Sequence, residues 1–371
     1  MTGSSSTLRS AGDLVAANLA PRDALPVLER VAARYAVTIT PALADLIDPT
    51  DQHDPIARQF VPSPVELVTS PEERADPIGD DAHTPVEGIV HRYPDRVLLK
   101  PVHVCAVYCR FCFRREMVGP GKRPALSPAA LAVALDYIRD RPEIWEVILT
   151  GGDPLVLSAR RLRALMGRLA AIGHVKVVRV HTRVPVADPA RITAGLARAL
   201  RVEGKATYVV LHANHPRELT ATARAACARL VDAGIPMLSQ SVLLRGVNDD
   251  AVTLEALMRT LVECRIKPYY LHHADLAPGT AHLRTSIGEG QDLMRTLHGS
   301  VSGLCQPAYV LDIPGGHGKS PIGPNYLESR DGAAGGCDHK IRDYRGMAHD
   351  ISASTELPGP VKPRPKGAAN T

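Results

Sequence analysis

The cysteine spacing is the strongest chemical signal in this sequence. Three of the seven cysteines, Cys105, Cys109 and Cys112, lie within eight residues. Thiolates are the usual ligands of iron–sulfur clusters. Three of them can hold three irons of a cubane and leave the fourth iron open to a small molecule. A zinc site and a chance group of buried thiols are the alternatives, but structural zinc usually needs a second Cys/His pair and no second cysteine pair exists. The spacing therefore predicts an iron–sulfur cluster with one open iron.

A second candidate is Lys319, in the glycine-rich stretch DIPGGHGKSP (312–321). A phosphate-binding P-loop is excluded, because its first glycine would have to stand where the chain has Ile313. A lysine in such a turn can instead form a Schiff base with pyridoxal phosphate. Taken alone, Lys319 is also compatible with an ordinary solvated loop lysine, so the choice depends on the rest of the sequence.

From residue 96 onward the chain alternates short β-rich apolar runs with longer amphipathic stretches. This pattern is typical of β/α units around a parallel sheet. The predicted strands cover residues 96–104, 146–150, 176–181, 206–212, 236–244 and 267–273. Six units are fewer than the eight of a closed barrel, so we expect an α/β fold with an open, partial barrel. A seventh apolar run, at 308–313, precedes the glycine-rich turn.

Unusual polar residues stand at or near the ends of these six runs. They are Cys105, Thr150–Asp153, His181–Arg183, His212–His215, Ser239–Ser241 and His273–Asp275. In a parallel β/α architecture the carboxyl ends of the strands share one rim, where active sites are built. We therefore expect these residues to form a single site.

The segments outside the alternation differ in composition. Residues 1–90 mix short helical patterns with Pro/Asp-rich turns, which predicts a helical extension before a barrel at 91–300. Residues 301–349 carry Lys319 and form a C-terminal segment. Residues 350–371 are rich in Pro, Lys and Gly, a composition typical of a disordered tail.

Composition limits the class of protein. The net charge is only +5 and aromatic residues make up 4%, which argues against a nucleic-acid stacking platform. No apolar run approaches the roughly 18 residues of a membrane span. The first residues lack a basic start followed by an apolar stretch, so no secretory signal is evident and we expect a cytoplasmic protein.

The cysteine motif, followed by a Gly-Gly-Asp turn after the next strand, resembles the radical S-adenosylmethionine superfamily. Further stretches make the resemblance more specific: HRYPDRVLL (91–99), TGGDPL (150–155), HTRVPV (181–186), HANHP, SQSVLLRGVND, PYYLHHAD and LDIPGGHGKSPIGPNY (311–326). Together, in this order, they are similar to lysine 2,3-aminomutase and its relatives, over residues 60–345. The resemblance implies a partial β/α barrel and a 2,3-amino migration.

The resemblance also implies three cofactors and their residues. Cys105, Cys109 and Cys112 would hold a [4Fe-4S] cluster, whose open iron binds S-adenosylmethionine, and Lys319 would bind pyridoxal 5′-phosphate. The other matching positions receive supporting roles: Gly151, Gly152 and Asp153 at the methionine end of S-adenosylmethionine; Arg96 on the pyridoxal phosphate group; His212 and Gln240 on S-adenosylmethionine or that phosphate; Arg114 on the substrate carboxylate; Asp275 and Asp312 on the substrate ε-ammonium.

Both acids favour free L-lysine as substrate and β-lysine as product, because a buried ammonium requires facing negative charge. The CRFCFRR stretch instead resembles relatives that serve modification of elongation factor P, so the same chemistry supplying β-lysine for that factor is the alternative. A non-catalytic iron–sulfur protein is a third hypothesis.

The longest family members carry a C-terminal cysteine set that binds zinc between subunits. Here only Cys337 stands in that region, so we expect a free thiol and a simpler homo-oligomer, a dimer, with an unidentified one-electron donor.

Overall fold

The computed structural model describes residues 6–118, 123–331 and 337–351. The chain divides into two compact units, Met1–Gly323 and Pro324–Thr371. The segment borders predicted after residues 90 and 300 both lie inside the first unit. The tail predicted from residue 350 lies, after Ile351, outside the described residues.

A nine-stranded sheet forms the first unit, and its strands follow one another in chain order from β1 to β9. Their bounds are β1 Ile89–Tyr93, β2 Arg96–Val102, β3 Glu146–Gly151, β4 Val177–Thr182, β5 Ala206–His212, β6 Met237–Val242, β7 Ile266–His272, β8 Ala308–Ile313 and β9 Gly318–Pro321. Strands β2 to β8 are parallel, whereas β1 and β9 pair antiparallel with their neighbours. The predicted partial barrel is confirmed, and the run at 308–313 adds a seventh parallel strand to the six predicted ones.

Helices connect successive parallel strands on the outside of the sheet. Their bounds are α5 Pro128–Arg139, α6 Ala159–Ala170, α7 Val184–Ala187, α8 Ala194–Leu200, α9 Ala221–Asp232, α10 Ala251–Glu263 and α11 Ile287–Ser300. The apolar spacing of α6 explains its orientation, because Leu162, Leu165, Met166 and Leu169 recur at i, i+3, i+4 and i+7 and are all buried. Ser158 caps its start by accepting a hydrogen bond from the Arg161 backbone.

Side chains of the parallel strands alternate between two environments. Val97, Leu99, Val147 and Leu149 belong to the main apolar core, which packs against the helices. Because strand side chains alternate with a period of two, their sequence neighbours, such as Lys100 and Thr150, face the other side of the sheet. The interior of the barrel therefore carries polar groups, and the core lies outside it.

The N-terminal region contributes four short helices: α1 Ala11–Ala16, α2 Leu25–Arg34, α3 Pro41–Ala44 and α4 Pro55–Phe60. They build a second apolar core whose buried members include Leu14, Ile39, Leu43 and Phe60. Val107 of the cysteine-containing loop belongs to the same core, so this region packs directly against that loop. No helix among the residues that the structure describes combines the length and apolarity needed to cross a membrane.

The second unit contains a three-stranded antiparallel sheet. Its strands are β10 Leu327–Asp331, β11 Cys337–Arg342 and β12 Ala348–Ile351, in that order. Cys337 begins β11, but its side chain lies outside the described ones, so the expected free thiol stays a prediction.

Candidate active site

The three predicted cluster ligands lie on the loop that follows β2. Cys105, Cys109 and Cys112 are free, partly exposed thiols. Burial is the main cause that raises their pKa values, to about 11 for Cys109. Neighbouring thiols of the set also raise the pKa of Cys105 and of Cys109. The three sulfur atoms are therefore close enough to sense one another's charge. Because metal ligation requires thiolates, binding of a cationic cluster here would release protons.

These thiols fit an iron–sulfur cluster by their chemistry. Within the described ranges, no three His, Cys, Asp or Glu side chains converge on one point as ligands of a single metal ion. A cubane does not require such convergence, since each thiolate binds a different iron.

Buried ion pairs attach the cysteine loop to the N-terminal helices. The Arg110 guanidinium donates to the fully buried carboxylate of Glu66 and to the backbone oxygen of Ala36, at 2.8 Å. Arg115 also pairs with Glu66, and its guanidinium stacks on the ring of Tyr35. Burial disfavours a charged Glu66, but both guanidinium groups more than offset it and lower the pKa of its carboxyl. The loop is thus fixed before any cluster binds.

The Gly151–Gly152–Asp153 turn is shaped by the start of this loop. A Cβ on Gly152 would lie 2.2 Å from the Val104 carbonyl oxygen, and Gly151 has a φ of +107°. The carboxylate of Asp153 accepts hydrogen bonds from the Thr182 hydroxyl and the Arg183 backbone, each at 2.7 Å. The geometry explains why this turn needs two glycines. A contact of these three residues with S-adenosylmethionine stays a prediction.

Arg183, which had no predicted role, lies beside the cysteines. Its guanidinium pairs with buried Glu218 and lies 5.4 Å from the ring centroid of Phe60 and 5.5 Å from that of Phe111. Phe111 stands between two of the cysteines, and the Arg183 charge lowers the pKa of Cys109 against the larger effect of burial. The HTRVPV motif marks Arg183 in the sequence, but nothing local shows that it reaches the cysteine loop.

Lys319 does not project as a free loop lysine. It lies on β9 opposite Asp312 of β8, and its ammonium pairs with the Asp312 carboxylate. The Nζ atom is 3.3 Å from Nδ1 of His272 on β7 and 5.5 Å from the ring centroid of Tyr270. At its backbone, Lys319 donates to the Tyr93 hydroxyl at 2.6 Å. Contacts with the neighbouring strands β7 and β8 and with the opposite edge strand β1 therefore fix this residue.

The two predicted substrate acids lie near Lys319 but differ in charge state. Burial opposes ionisation of Asp312, but His272 and Lys319 more than offset it, so its pKa lies well below the ordinary value. Burial and, secondly, the charge of Asp312 raise the pKa of Asp275 to about 7. Lys319 and Arg114 act in the opposite direction on Asp275. The structure thus brings Asp275, Asp312, Lys319 and Arg114 into one electrostatic environment.

Arg114 is held by a residue that the sequence did not single out. Its guanidinium donates to the buried carboxylate of Asp80 at 2.9 and 3.2 Å and to the Thr150 hydroxyl at 3.2 Å. A second guanidinium, that of Arg92, contacts Asp80 at 3.1 Å. Asp80 precedes β1 and carries no motif that would have identified it as a partner of Arg114.

His181, His212 and Gln240 face the barrel interior at the ends of β4, β5 and β6. The two imidazole centroids are 5.5 Å apart. Both Nε2 atoms are buried, and neither has a hydrogen-bond partner among the residues that the structure describes. Burial lowers the pKa of His212 to about 3, and Gln240 opposes this shift through a hydrogen bond. Two neutral imidazoles, each with an Nε2 atom that lacks a partner among the described residues, are suited to contact a polar ligand in this space.

Arg96 lies at the other end of β2. It pairs with Asp95 at 2.7 Å and stacks on the ring of Tyr93, 3.9 Å from the centroid. Since the Tyr93 hydroxyl contacts the Lys319 backbone, Arg96 and Lys319 share a neighbour. The guanidinium is one-third exposed, so it is accessible to a phosphate.

Comparison with known proteins agrees with this geometry. Residues 99–257 match the family model of the radical SAM superfamily. The chain is 41% identical over 294 residues to an L-lysine 2,3-aminomutase of Clostridium subterminale, covering 79% of this chain and 70% of that protein. The chain belongs to the lysine 2,3-aminomutase family. Membership makes it a radical SAM isomerase and implies a [4Fe-4S] cluster, S-adenosylmethionine and pyridoxal phosphate as cofactors.

The similar proteins are named for more than one substrate. An L-lysine 2,3-aminomutase of Escherichia coli (strain K12) is 37% identical over 288 residues, covering 78% of this chain and 83% of that protein. A glutamate 2,3-aminomutase of Clostridioides difficile (strain 630) is also 37% identical, over 303 residues, covering 82% and 71%. Because a lysine and a glutamate 2,3-aminomutase reach the same 37% identity, the substrate of this family member has to be argued from its own residues.

Proposed function

We propose that this chain interconverts L-lysine and β-lysine by migration of the amino group from C2 to C3. The observation that carries the proposal is the pair of carboxyl groups, Asp275 and Asp312, in the pocket of Lys319. A substrate ammonium would be attracted by them, whereas the side-chain carboxylate of glutamate would be repelled. Carboxylates facing a pocket thus provide both attraction for lysine and discrimination against glutamate.

The remaining roles are those that the family resemblance implies, and the positions of the side chains support them. Arg114, fixed by Asp80, is suited to bind the substrate carboxylate through its planar guanidinium. His212 and Gln240 would contact S-adenosylmethionine or the phosphate of pyridoxal phosphate, and the neutral imidazole of His181 lies beside His212. Cys105, Cys109 and Cys112 would hold the cluster, Lys319 the pyridoxal ring and Arg96 its phosphate. When bound, these cofactors supply the radical and the π-system that stabilises it, while the chain binds, orients and shields the reacting atoms.

An anaerobic assay of the reconstituted protein tests the proposal. With L-lysine, S-adenosylmethionine and a reductant, we expect β-lysine, identified by chromatography against a standard. L-Glutamate at the same concentration should give at least about tenfold less product, the minimum that one unfavourable buried charge contact of about 1.4 kcal/mol would cause. Absence of β-lysine, or equal turnover of glutamate, would contradict the proposal.

The alternative hypothesis concerns the use of the β-lysine that the enzyme makes. The CRFCFRR stretch resembles relatives that serve modification of elongation factor P, so β-lysine could be made for that factor. Incubating the enzyme with lysine, elongation factor P and its ligase, followed by intact-protein mass spectrometry, distinguishes supply of β-lysine to that factor from release of an end product.

We also propose a cytoplasmic homodimer that takes single electrons from an unidentified donor. A compartment that keeps thiols reduced suits the three free cysteines. Sedimentation of the anaerobic protein tests the dimer, and cell fractionation tests the location.

A further inference from the structure

Lys319 faces a carboxylate, so its amine needs a base before it can react. An ammonium has three donor hydrogens and no lone pair, so a lysine must lose a proton before its nitrogen can attack a carbonyl carbon. In this structure the Nζ atom pairs with the Asp312 carboxylate. That contact stabilises the charged ammonium, and a carboxylate with a strongly lowered pKa is too weak a base to take the proton. Another group must accept it.

His272 is the neighbour placed to do so. Its Nδ1 atom lies 3.3 Å from Nζ of Lys319 and 3.4 Å from Oδ2 of Asp312. The ring lies edge-on to Tyr270 on the same strand, with 5.7 Å between centroids. Distances of about 2.6–3.2 Å suit proton transfer, and contacts of this kind are often slightly longer in unliganded structures.

The surroundings keep His272 neutral and therefore able to accept a proton. Burial lowers its pKa, the charge of Lys319 on β9 lowers it further, and Asp312 on β8 opposes both. The histidines that face it from β4 and β5, His181 and His212, are themselves kept neutral by burial. Proton transfer from Lys319 would leave an imidazolium beside the Asp312 carboxylate, which compensates the new charge.

We propose that His272 is the base that deprotonates Lys319 when pyridoxal phosphate is loaded. The proton moves from Nζ to Nδ1. The nitrogen lone pair then forms the bond to the aldehyde carbon, the carbon–oxygen bond breaks, and the oxygen leaves as water with the two hydrogens that remained on Nζ. This inference rests on the proposed function only in taking pyridoxal phosphate as the cofactor. It assigns to His272, a residue that carries no role in the proposed function, a step that precedes turnover.

Cofactor loading of the cofactor-free full chain tests this role without any turnover. Pyridoxal phosphate is mixed with the protein, the C=N absorbance band is followed in a stopped-flow instrument, and borohydride reduction with peptide mass spectrometry confirms Lys319 as the site. For His272→Gln we expect loading at neutral pH to slow by about 100-fold, the lower range of general-base contributions. The defect should shrink at high pH, where hydroxide replaces the imidazole.

Two further variants separate a base from a structural residue. Imidazole added to His272→Ala should restore much of the loading rate. His91→Gln is the matched control, since this histidine of β1 contacts the Tyr137 hydroxyl at 2.9 Å instead of Lys319, and it should load like the wild type. Wild-type loading by His272→Gln, or a defect that neither pH nor imidazole changes, would overturn the inference.

The outcomes also separate this inference from the proposed function. His272-dependent loading without β-lysine formation would reject the proposed reaction and leave the base assignment intact. β-Lysine formation with pyridoxal phosphate loading independent of His272 would reject the base assignment and leave the proposed reaction intact. Failure of the wild-type chain to take pyridoxal phosphate at Lys319 would overturn both.

Discussion

Asp275 and Asp312 show how two identical side chains acquire different tasks. Asp312 has a resident counter-ion in Lys319, whereas Asp275 has no ion pair of its own among the described residues and a pKa raised to about 7 by burial and by the charge of Asp312. A substrate ammonium entering this space would supply the positive charge that Asp275 lacks. The two acids should therefore respond differently to substitution.

We predict that Asp275→Asn raises the KM for L-lysine by about 10- to 100-fold, since hydrogen bonds to charged groups contribute about 1.5–3 kcal/mol. Pyridoxal phosphate loading should be unchanged, because Lys319 pairs with Asp312. The carboxyl of Asp275 loses its charge as pH falls below about 7, so wild-type kcat/KM for lysine should drop there. For Asp275→Asn, kcat/KM should not show this decrease below about pH 7. An unchanged KM would exclude Asp275 from the substrate site.

At the scale of elements, ion pairs attach the cysteine loop to the N-terminal region. Glu66 follows α4 and receives Arg110 and Arg115, both on that loop. All three side chains are buried. A buried pair is strongly destabilising when one partner is removed, because the other charge stays without compensation.

Glu66→Ala should therefore destabilise the fold by about 3–5 kcal/mol in denaturant unfolding. It should also lower the iron bound per chain after reconstitution. The matched control is Glu255→Gln, which removes an exposed pair with Arg259 on α10 and should change stability by at most about 0.5 kcal/mol. Equal stability of the two variants would show that the loop does not depend on this ion pair.

The two edge strands of the sheet meet through one side chain. The Tyr93 hydroxyl of β1 accepts a hydrogen bond from the Lys319 backbone of β9, and a Cβ on Gly318 would lie 2.9 Å from the same oxygen. The glycine thus permits the close approach that brings β9, and with it Lys319, to the far edge of the sheet.

Tyr93→Phe should cost about 0.5–1.5 kcal/mol of stability, the usual contribution of one hydrogen bond. Hydrogen–deuterium exchange at the Lys319 amide should become faster, since the amide loses its partner. Tyr137→Phe is the control, because its hydroxyl, on α5, contacts His91 at 2.9 Å and not the Lys319 amide. Unchanged exchange at Lys319 in Tyr93→Phe would argue against this contact in solution.

At the scale of the whole molecule, every candidate site residue belongs to the first compact unit, Met1–Gly323. The cysteine loop and Lys319 are more than two hundred positions apart in the chain, yet the nine-stranded sheet joins them in one unit. We predict that a chain ending at Gly323 folds, binds a [4Fe-4S] cluster and loads pyridoxal phosphate at Lys319. Absorption spectra and iron analysis check this. Loss of both cofactors in a well-folded truncated protein would show that residues after 323 complete the site.

The sequence predicted the type of fold and the positions of the main chemical groups. Strand alternation and the order of the motifs located the rim, the cysteine loop and Lys319, and the structure confirms the partial barrel. The sequence shows the apolar run at 308–313, but the six predicted strands of the sheet do not include it. Its strand pairs with β7 through only three residues, a register that no local pattern indicates.

Residue types and their spacing along the chain thus predicted an iron–sulfur cluster, because thiolates are its usual ligands, and the order of the motifs implied pyridoxal phosphate through the family resemblance. The partners of the charged residues were decided only by the tertiary structure. Asp80 is 34 positions from Arg114, and His272 is 47 positions from Lys319. Strand register and loop packing bring these pairs together, and the energy of an ion pair depends on distance and burial, which the order of residues does not contain.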